Sequence, residues 1–298
     1  MSKIIFKKTF LLSIIIINII GIFSIVPTKA TNTYTIRNTK KKDRLELIRE
    51  RGVLWVCSSN DIPISFTDPK TNEFSGIDAD ILKEVAKRIG INKVEIKSVT
   101  PFSNLIDCLN TNADIDIIAN GMYVTEDRKK EVLFTNIWYK ESEAVLIPKV
   151  SRINSKEDLK NAVIGALEGT SFLELAENWK KDNLVKDVVI YNDQNTLLCA
   201  VNEGKINAAI TNSIVSTYLL SKDSKLYLKI LSPYEPETLG KIAAAVRKSD
   251  ISLAKAINKE IDNMKKDKTL MEILDKYGLD ESYFVPIKDS DAYATFYR

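Results

Sequence analysis

The stretch Gly121-Met122-Tyr123-Val124-Thr125-Glu126-Asp127-Arg128 carries the residue types and spacing best suited to chemistry in this chain. The apolar run Ile115 to Ala119 before it reads as a strand, Gly121 as a turn, and Thr125 as the N-cap of a helix that continues into the amphipathic run Lys129 to Phe134. A strand that ends at a glycine and restarts as a capped helix leaves several backbone N–H groups without intrahelical partners. They point into one space, and that space attracts anions. Arg128 adds a guanidinium fork that matches a carboxylate bidentately, while Glu126 and Asp127 suit the positive end of the helix dipole. An ordinary capped helix with a surface arginine fits the same residues, so the rest of the chain has to decide.

Other chemistries are narrowed by what is missing. The sequence contains no histidine, which removes Ser-His-Asp and Cys-His catalysis, histidine general bases and histidine metal sites together. Cys57, Cys108 and Cys199 are widely separated in apolar segments and lack metal-ligand or redox spacing. They read as buried small hydrophobes, with a Cys57 to Cys108 disulfide left open for an exported protein. No catalytic residue, metal or cofactor is expected. Net charge is +3 overall, but the first thirty residues hold four lysines and no acids, leaving 39 basic against 40 acidic side chains. These charges are interspersed along amphipathic segments such as Asp80 to Arg88 rather than gathered on a basic face, so no nucleic-acid partner is expected.

The elements that must position the candidate site alternate. Strand Val53 to Cys57, helix Asp78 to Ile89, strand Val94 to Val99, helix Phe102 to Leu109, strand Ile115 to Ala119 and a helix from about Glu126 imply a parallel α/β sheet. The run 144–149 then reads as a strand leaving this unit, and Ser155 to Leu159 opens a short helix with capping-box spacing. A second unit follows, with strand Ala162 to Ala166, turn Glu168-Gly169-Thr170, helix Ser171 to Lys181, strand Val188 to Tyr191, helix Gln194 to Glu203, strand Ala208 to Thr211 and helix Ser213 to Leu220. Lys241 to Val246 reads as a further strand before the amphipathic helices Ile251 to Lys265 and Thr269 to Tyr277. Two α/β units joined twice make a cleft. With 298 residues, 45% hydrophobic and 28% charged, each unit has enough chain for its own core.

Residues 1–30 have the pattern of a secretory signal: Lys3, Lys7 and Lys8, an apolar run from Phe10 to Val26, and small residues at Thr28 and Ala30 for cleavage. The apolar run approaches the length of a short membrane span, so an uncleaved N-terminal anchor is the alternative. No cysteine lies near the cleavage point to carry a lipid anchor.

Strings spread along the chain resemble the family 3 solute-binding proteins of bacterial ABC importers, the polar amino-acid-binding group with the type II periplasmic-binding fold. They are Gly52 to Val56, Ile62 to Phe66, Phe74 to Ile81, Phe102 to Ile106, Ala113 to Ile118, Gly121 to Arg128 and Phe134 to Tyr139, then Ser155 to Leu159, Glu168 to Thr170 and Glu203 to Ile210. The resemblance implies an α/β protein of two lobes hinged on two crossing strands, with the ligand buried between lobes that close on it. Lobe 1 would be 43–145 plus 241–286, lobe 2 would be 146–240, and 31–42 and 287–298 would be linker and tail. It also implies that Arg128 binds a ligand carboxylate, that Gly121 offers a backbone group nearby, that Phe102 packs on the ligand, and that Gly169, Thr170 and Ser171 present further N–H groups from a helix start.

Three positions depart from the family pattern. Asp61 stands where an aromatic is usual, Asn212 where an acid holds the α-ammonium, and Tyr123 where a serine or threonine is usual. One account moves the cation-binding charge to Asp61; another gives the ligand no primary ammonium and an aromatic cleft of Tyr123, Phe102 and Trp138. Simpler roles stand beside these: Asp61 in a turn before Pro63, Trp138 in lobe packing, Asn212 as a cap for the helix at Ser213. The function expected is an extracytoplasmic receptor, monomeric, that captures a small zwitterion and delivers it to an ABC permease. The alternatives are a ligand-sensing ectodomain working with a separate partner, and a cyclohexadienyl-dehydratase-like enzyme in which Glu168 or Asp61 would serve as the acid.

Overall fold

Two sheets, each flanked by helices, form the body of the molecule in the computed structural model, which describes residues 42–222 and 225–293. The signal segment and nearly all of the expected linker lie outside these residues. The first lobe begins with α1 (Arg44–Arg51), β1 (Val53–Ser58), the short hairpin β2 (Phe66–Thr67) and β3 (Phe74–Ser75), α2 (Ile77–Arg88) and β4 (Lys93–Val99). It continues through α3 (Leu105–Thr111), β5 (Ile117–Ile118), the four-residue α4 (Glu126–Lys129) and β6 (Leu133–Phe134). The second lobe comprises β7 (Tyr139–Pro148), β8 (Val163–Leu167), α5 (Ser171–Lys181), β9 (Asp187–Tyr191), α6 (Gln194–Asn202), β10 (Ala208–Asn212), α7 (Ser213–Lys222) and β11 (Leu228–Ile230). β12 (Leu239–Ile242) and β13 (Ala245–Val246) return the chain to lobe 1, where α8 (Ile251–Lys266) and α9 (Thr269–Lys276) complete it.

Among the described residues the lobe 1 sheet runs β4-β1-β5-β13-β6, with β4, β1 and β5 parallel and β13 antiparallel to β5 and β6. The lobe 2 sheet runs β11-β7-β10-β8-β9, and β12 pairs with the first half of β7. β7 and β12 are therefore the two strands that cross between the lobes. In β7, Lys140 and Ser142 are half-buried while Glu141 and Glu143 face inward, opposite Gly240 and Asn212 respectively.

Several expectations change. The helix expected through Phe134 is a single turn, because Val132 is buried and Leu133–Phe134 is drawn into pairing with β13. Strand Lys241 to Val246 is broken in two, and the helix from Phe102 begins as a 3-10 turn. The capping box at Ser155 is only half made: Asp158 accepts from the N–H of Ser155 at 3.0 Å, and the helix that follows is 3-10. Helix α1 was not expected, although Asp43 and Glu46 form a complete capping box at its start. Residues 287–293 are no tail: the Ser290 carbonyl accepts from the N–H of Ile137 at 2.6 Å, and Lys265 Nζ donates to Ser290 Oγ at 2.7 Å. Cys57 is buried, but Cys199 lies exposed on the outer side of α6.

Candidate functional site

The cleft between the lobes holds a cavity of about 50 Å³ lined by Asp61, Ile64, Phe102, Asn120, Gly121, Tyr123 and Arg128 from lobe 1, and by Leu167, Thr170, Ser171, Phe172, Gln194, Thr211, Asn212 and Val215 from lobe 2. Asp61 and Arg128 are the charged residues of that lining.

On the lobe 1 side, the chain turns after β1. The Asp61 carbonyl accepts from the N–H groups of Ile64 and Ser65 at 2.9 Å each, so the turn before Pro63 is made by backbone and the carboxylate is free for the cleft. Its Oδ2 accepts from Ser59 Oγ at 2.5 Å and from Asn120 Nδ2 at 3.0 Å. Asn120 Oδ1 in turn accepts from the Ser59 N–H at 3.0 Å and lies 2.7 Å from Ser58 Oγ, tying the ends of β1 and β5 together. Burial pushes the Asp61 carboxyl up from its ordinary range; the Ser59 and Asn120 hydrogen bonds oppose this, and no basic group compensates it.

Gly121 has φ +62°, and a Cβ there would come within 3.2 Å of the Ile64 side chain. Its N–H donates to Asp78 Oδ2 at 2.7 Å, so the backbone group it can offer a ligand is its carbonyl. Asp78 Oδ1 accepts from the Tyr139 hydroxyl at 2.8 Å, and burial lifts this carboxyl to about 6. Arg128 Nη1 donates to the Tyr123 carbonyl and Nη2 to the Gly169 carbonyl of lobe 2, both at 2.7 Å, and the guanidinium lies 5.4 Å from the Phe102 ring centre. Arg128 thus bridges the lobes at the cavity wall rather than standing on the surface.

The N–H groups expected from a helix at Thr125 are not in this cavity, since α4 is one turn and Thr125 lines a separate groove with Glu126 and Leu239. Lobe 2 supplies them instead. Thr170 caps the eleven-residue α5, accepting from the Leu173 N–H at 3.2 Å, which leaves Ser171 and Phe172 in the first turn at the cavity. Gly169 has φ +74° and packs so close to Ser103 that a Cβ would lie 2.8 Å from the Ser103 Cα. It touches Arg128 through its carbonyl without lining the cavity. Glu168 is exposed at the rim, 3.3 Å from Ser103 Oγ, and is also outside the lining.

Asn212 does two things. Its Oδ1 caps α7 by accepting from the Val215 N–H at 2.9 Å, and its Nδ2 donates to Glu141 Oε1. Glu141, buried on crossing strand β7 behind the cavity, is lifted to about 8 by burial, against the opposing pull of the polar groups around it, Tyr123, Ile214, Asn212 and Ser213. The Tyr123 hydroxyl faces that carboxyl without a well-aligned hydrogen bond, and its ring packs on Gly240 and edge-on to Phe172 at 5.5 Å. Trp138 is fully buried in the core and contributes nothing to the cleft. Sequence reasoning missed Asn120, Gln194, Thr211 and Glu141. Each needed either the convergence of separate loops or a strand register that local pattern does not give.

A two-lobed α/β receptor with a charged, partly apolar cleft at its hinge is the class this geometry defines. The family model for bacterial extracellular solute-binding proteins, family 3, matches residues 54–280, and the chain belongs to that family. It is 28% identical over 275 residues to the ABC transporter glutamine-binding protein GlnH of Bacillus subtilis (strain 168), covering 91% of this chain and 97% of that protein. It is 34% identical over 200 residues to a glutamine-binding protein of Geobacillus stearothermophilus, covering 65% of this chain and 72% of that one. Among solved structures it is similar to an ancestral amino acid-binding protein described as a precursor of cyclohexadienyl dehydratase, with a TM-score of 0.67, 29% identity, and 78% and 98% of the two chains covered. The protein is an extracytoplasmic solute-binding protein of the ABC importer type.

Proposed function

We propose that this chain captures a polar amino acid by closing its two lobes on it and delivers it to an ABC permease. The observation that carries this reading is the charge pair in the lining: one guanidinium, Arg128, and one carboxylate, Asp61, complement a zwitterion. Arg128 and the first-turn N–H groups of α5 receive the ligand carboxylate. Asp61 accepts from the ligand's N–H-bearing end, and Phe102, Tyr123 and Phe172 enclose the carbon skeleton. The glutamine-binding relatives support an amino acid as the ligand class.

Transport without catalysis fits the cavity better than a dehydratase. Glu168 is outside the lining; of the other titratable groups beside Asp61 there, Arg128 does not exchange its proton in proteins, and burial raises the Tyr123 hydroxyl, which faces Glu141. The receptor works as a monomer, and Ala30 is the last residue removed on export. A thermal-shift panel of amino acids, polyamines and compatible solutes tests the reading: a ligand at 100 times its Kd adds about 2.7 kcal/mol of stability. An amino acid should give the largest shift. Shifts from polyamines alone would overturn it, because Arg128 would then have no carboxylate to receive.

A further inference from the structure

Gln194 is a polar side chain in the cavity with an unused donor. It is the first residue of α6, where Asp193 caps the helix by accepting from the Thr196 N–H at 2.8 Å. Its Oε1 accepts from the Thr211 hydroxyl at 3.0 Å, which orients the amide, and its Nε2 is buried with no acceptor among the described residues. Buried donors are nearly always paired, so an unpaired one in the wall of a ligand cleft marks where a ligand acceptor belongs.

Asp61 supplies the opposite function from the facing lobe. With Oδ2 bonded to Ser59 and Asn120, its second oxygen has no donor among the described residues. Gln194 and Asp61 line the cleft cavity together and also share the adjoining hollow with Phe102 and Leu167, so a donor from lobe 2 and an acceptor from lobe 1 meet at one corner.

We infer that Gln194 is a specificity-determining residue and that, with Asp61, it recognises a primary carboxamide on the ligand side chain. The carboxamide oxygen accepts from Gln194 Nε2, and its nitrogen donates to Asp61. Alternatives leave a mismatch: a side-chain carboxylate sets charge against Asp61, an ammonium or guanidinium sets donors against Gln194, and an apolar tip leaves both groups unpaired. The inference rests on the amino-acid reading above and narrows it to the carboxamide amino acids, with the side-chain nitrogen as the N–H-bearing end that Asp61 receives.

Calorimetry on the purified protein with glutamine, asparagine, glutamate and aspartate tests it, alongside Gln194→Leu, Gln194→Glu and Gln194→Asn. One of the carboxamides should bind at least 100-fold more tightly than its acid counterpart. Gln194→Leu should weaken that carboxamide at least tenfold, Gln194→Glu more, and Gln194→Asn also, each with the unliganded melting temperature little changed. Equal or tighter binding of the acid, or a Gln194→Leu protein with unchanged affinity, would overturn the assignment. Improved carboxamide binding by Gln194→Glu would overturn it too, because the ligand would then be donating at this corner. If a different amino acid binds and Arg128→Ala abolishes it, only the Gln194 assignment falls. If no amino acid binds the wild type, the amino-acid reading falls with it.

Discussion

On the lobe 1 wall of the cleft, polar groups are bonded to one another before any ligand arrives: Asp78 holds the Gly121 N–H, Asn120 joins Ser59 to Asp61, and Arg128 rests on the Tyr123 carbonyl. The lobe 2 wall is assembled from helix starts, with Thr170 and Asn212 as caps, and it leaves Gln194 Nε2 without a partner among the described residues. A wall with its own hydrogen-bond network holds charges in place at low reorganisation cost and so selects a ligand class. A wall of unpaired donors discriminates among members of that class, because a wrong member leaves them buried and unsatisfied.

The sharpest way to break this comparison is to remove the charge that lobe 1 extends across the cleft. Arg128→Ala should cost about 2 to 5 kcal/mol of ligand affinity, the range for losing one side of a desolvated charge pair, while leaving the fold intact. Because Arg128 Nη2 also donates to the Gly169 carbonyl, the variant should also close less completely. Calorimetry and small-angle scattering with and without ligand check both effects. Unchanged affinity would return Arg128 to a purely structural bridge.

Beneath both walls, crossing strand β7 carries Glu141, and its titration is a second test. Its folded-state carboxyl is raised to about 8 from an ordinary 4.5, so between these values the folded protein binds more protons than the unfolded chain. The associated stability is full below about pH 4.5 and is lost as pH rises toward 8. Glu141→Gln keeps an acceptor for Asn212 and removes the charge, so it should match wild type near pH 5 and be more stable at pH 8, by on the order of 4 kcal/mol. Denaturant unfolding across this range checks it. A constant difference at all pH values would mean that Glu141 does not titrate in this window.

Elements with a side-chain cap and a clear apolar stripe were legible from the sequence: Thr170 announces α5 and Asp193 announces α6, and both begin where local pattern places them. Elements decided by long-range pairing were not, such as β6, whose two residues read as helix until β13 is set beside them. The site divides in the same way. Asp61, Phe102, Gly121, Tyr123, Arg128, Thr170, Ser171 and Asn212 converge on one cavity, whereas Gly169 acts from its edge. Glu141 was invisible because its role depends on the register that sets it opposite Gly240 and behind Asn212.

The smallest expected effect concerns the acceptor on the lobe 1 wall. Asp61→Asn replaces an acceptor-only carboxylate with an amide that can turn a donor toward the ligand, and the Ser59 and Asn120 bonds to Oδ2 survive on its remaining oxygen. Affinity for the best ligand of the panel should fall at least tenfold, about 1.4 kcal/mol or more. Asn212→Asp should be tolerated, because burial raises the Glu141 carboxyl to about 8 and its proton can be shared with the new carboxylate, and it should leave affinity unchanged or raise it by adding a charge for the α-ammonium. Measuring both variants against the same ligand separates the walls: loss confined to Asp61→Asn places the acceptor function in lobe 1. A ligand whose affinity ignores both substitutions would reduce Asp61 to its backbone turn before Pro63 and Asn212 to its cap on α7.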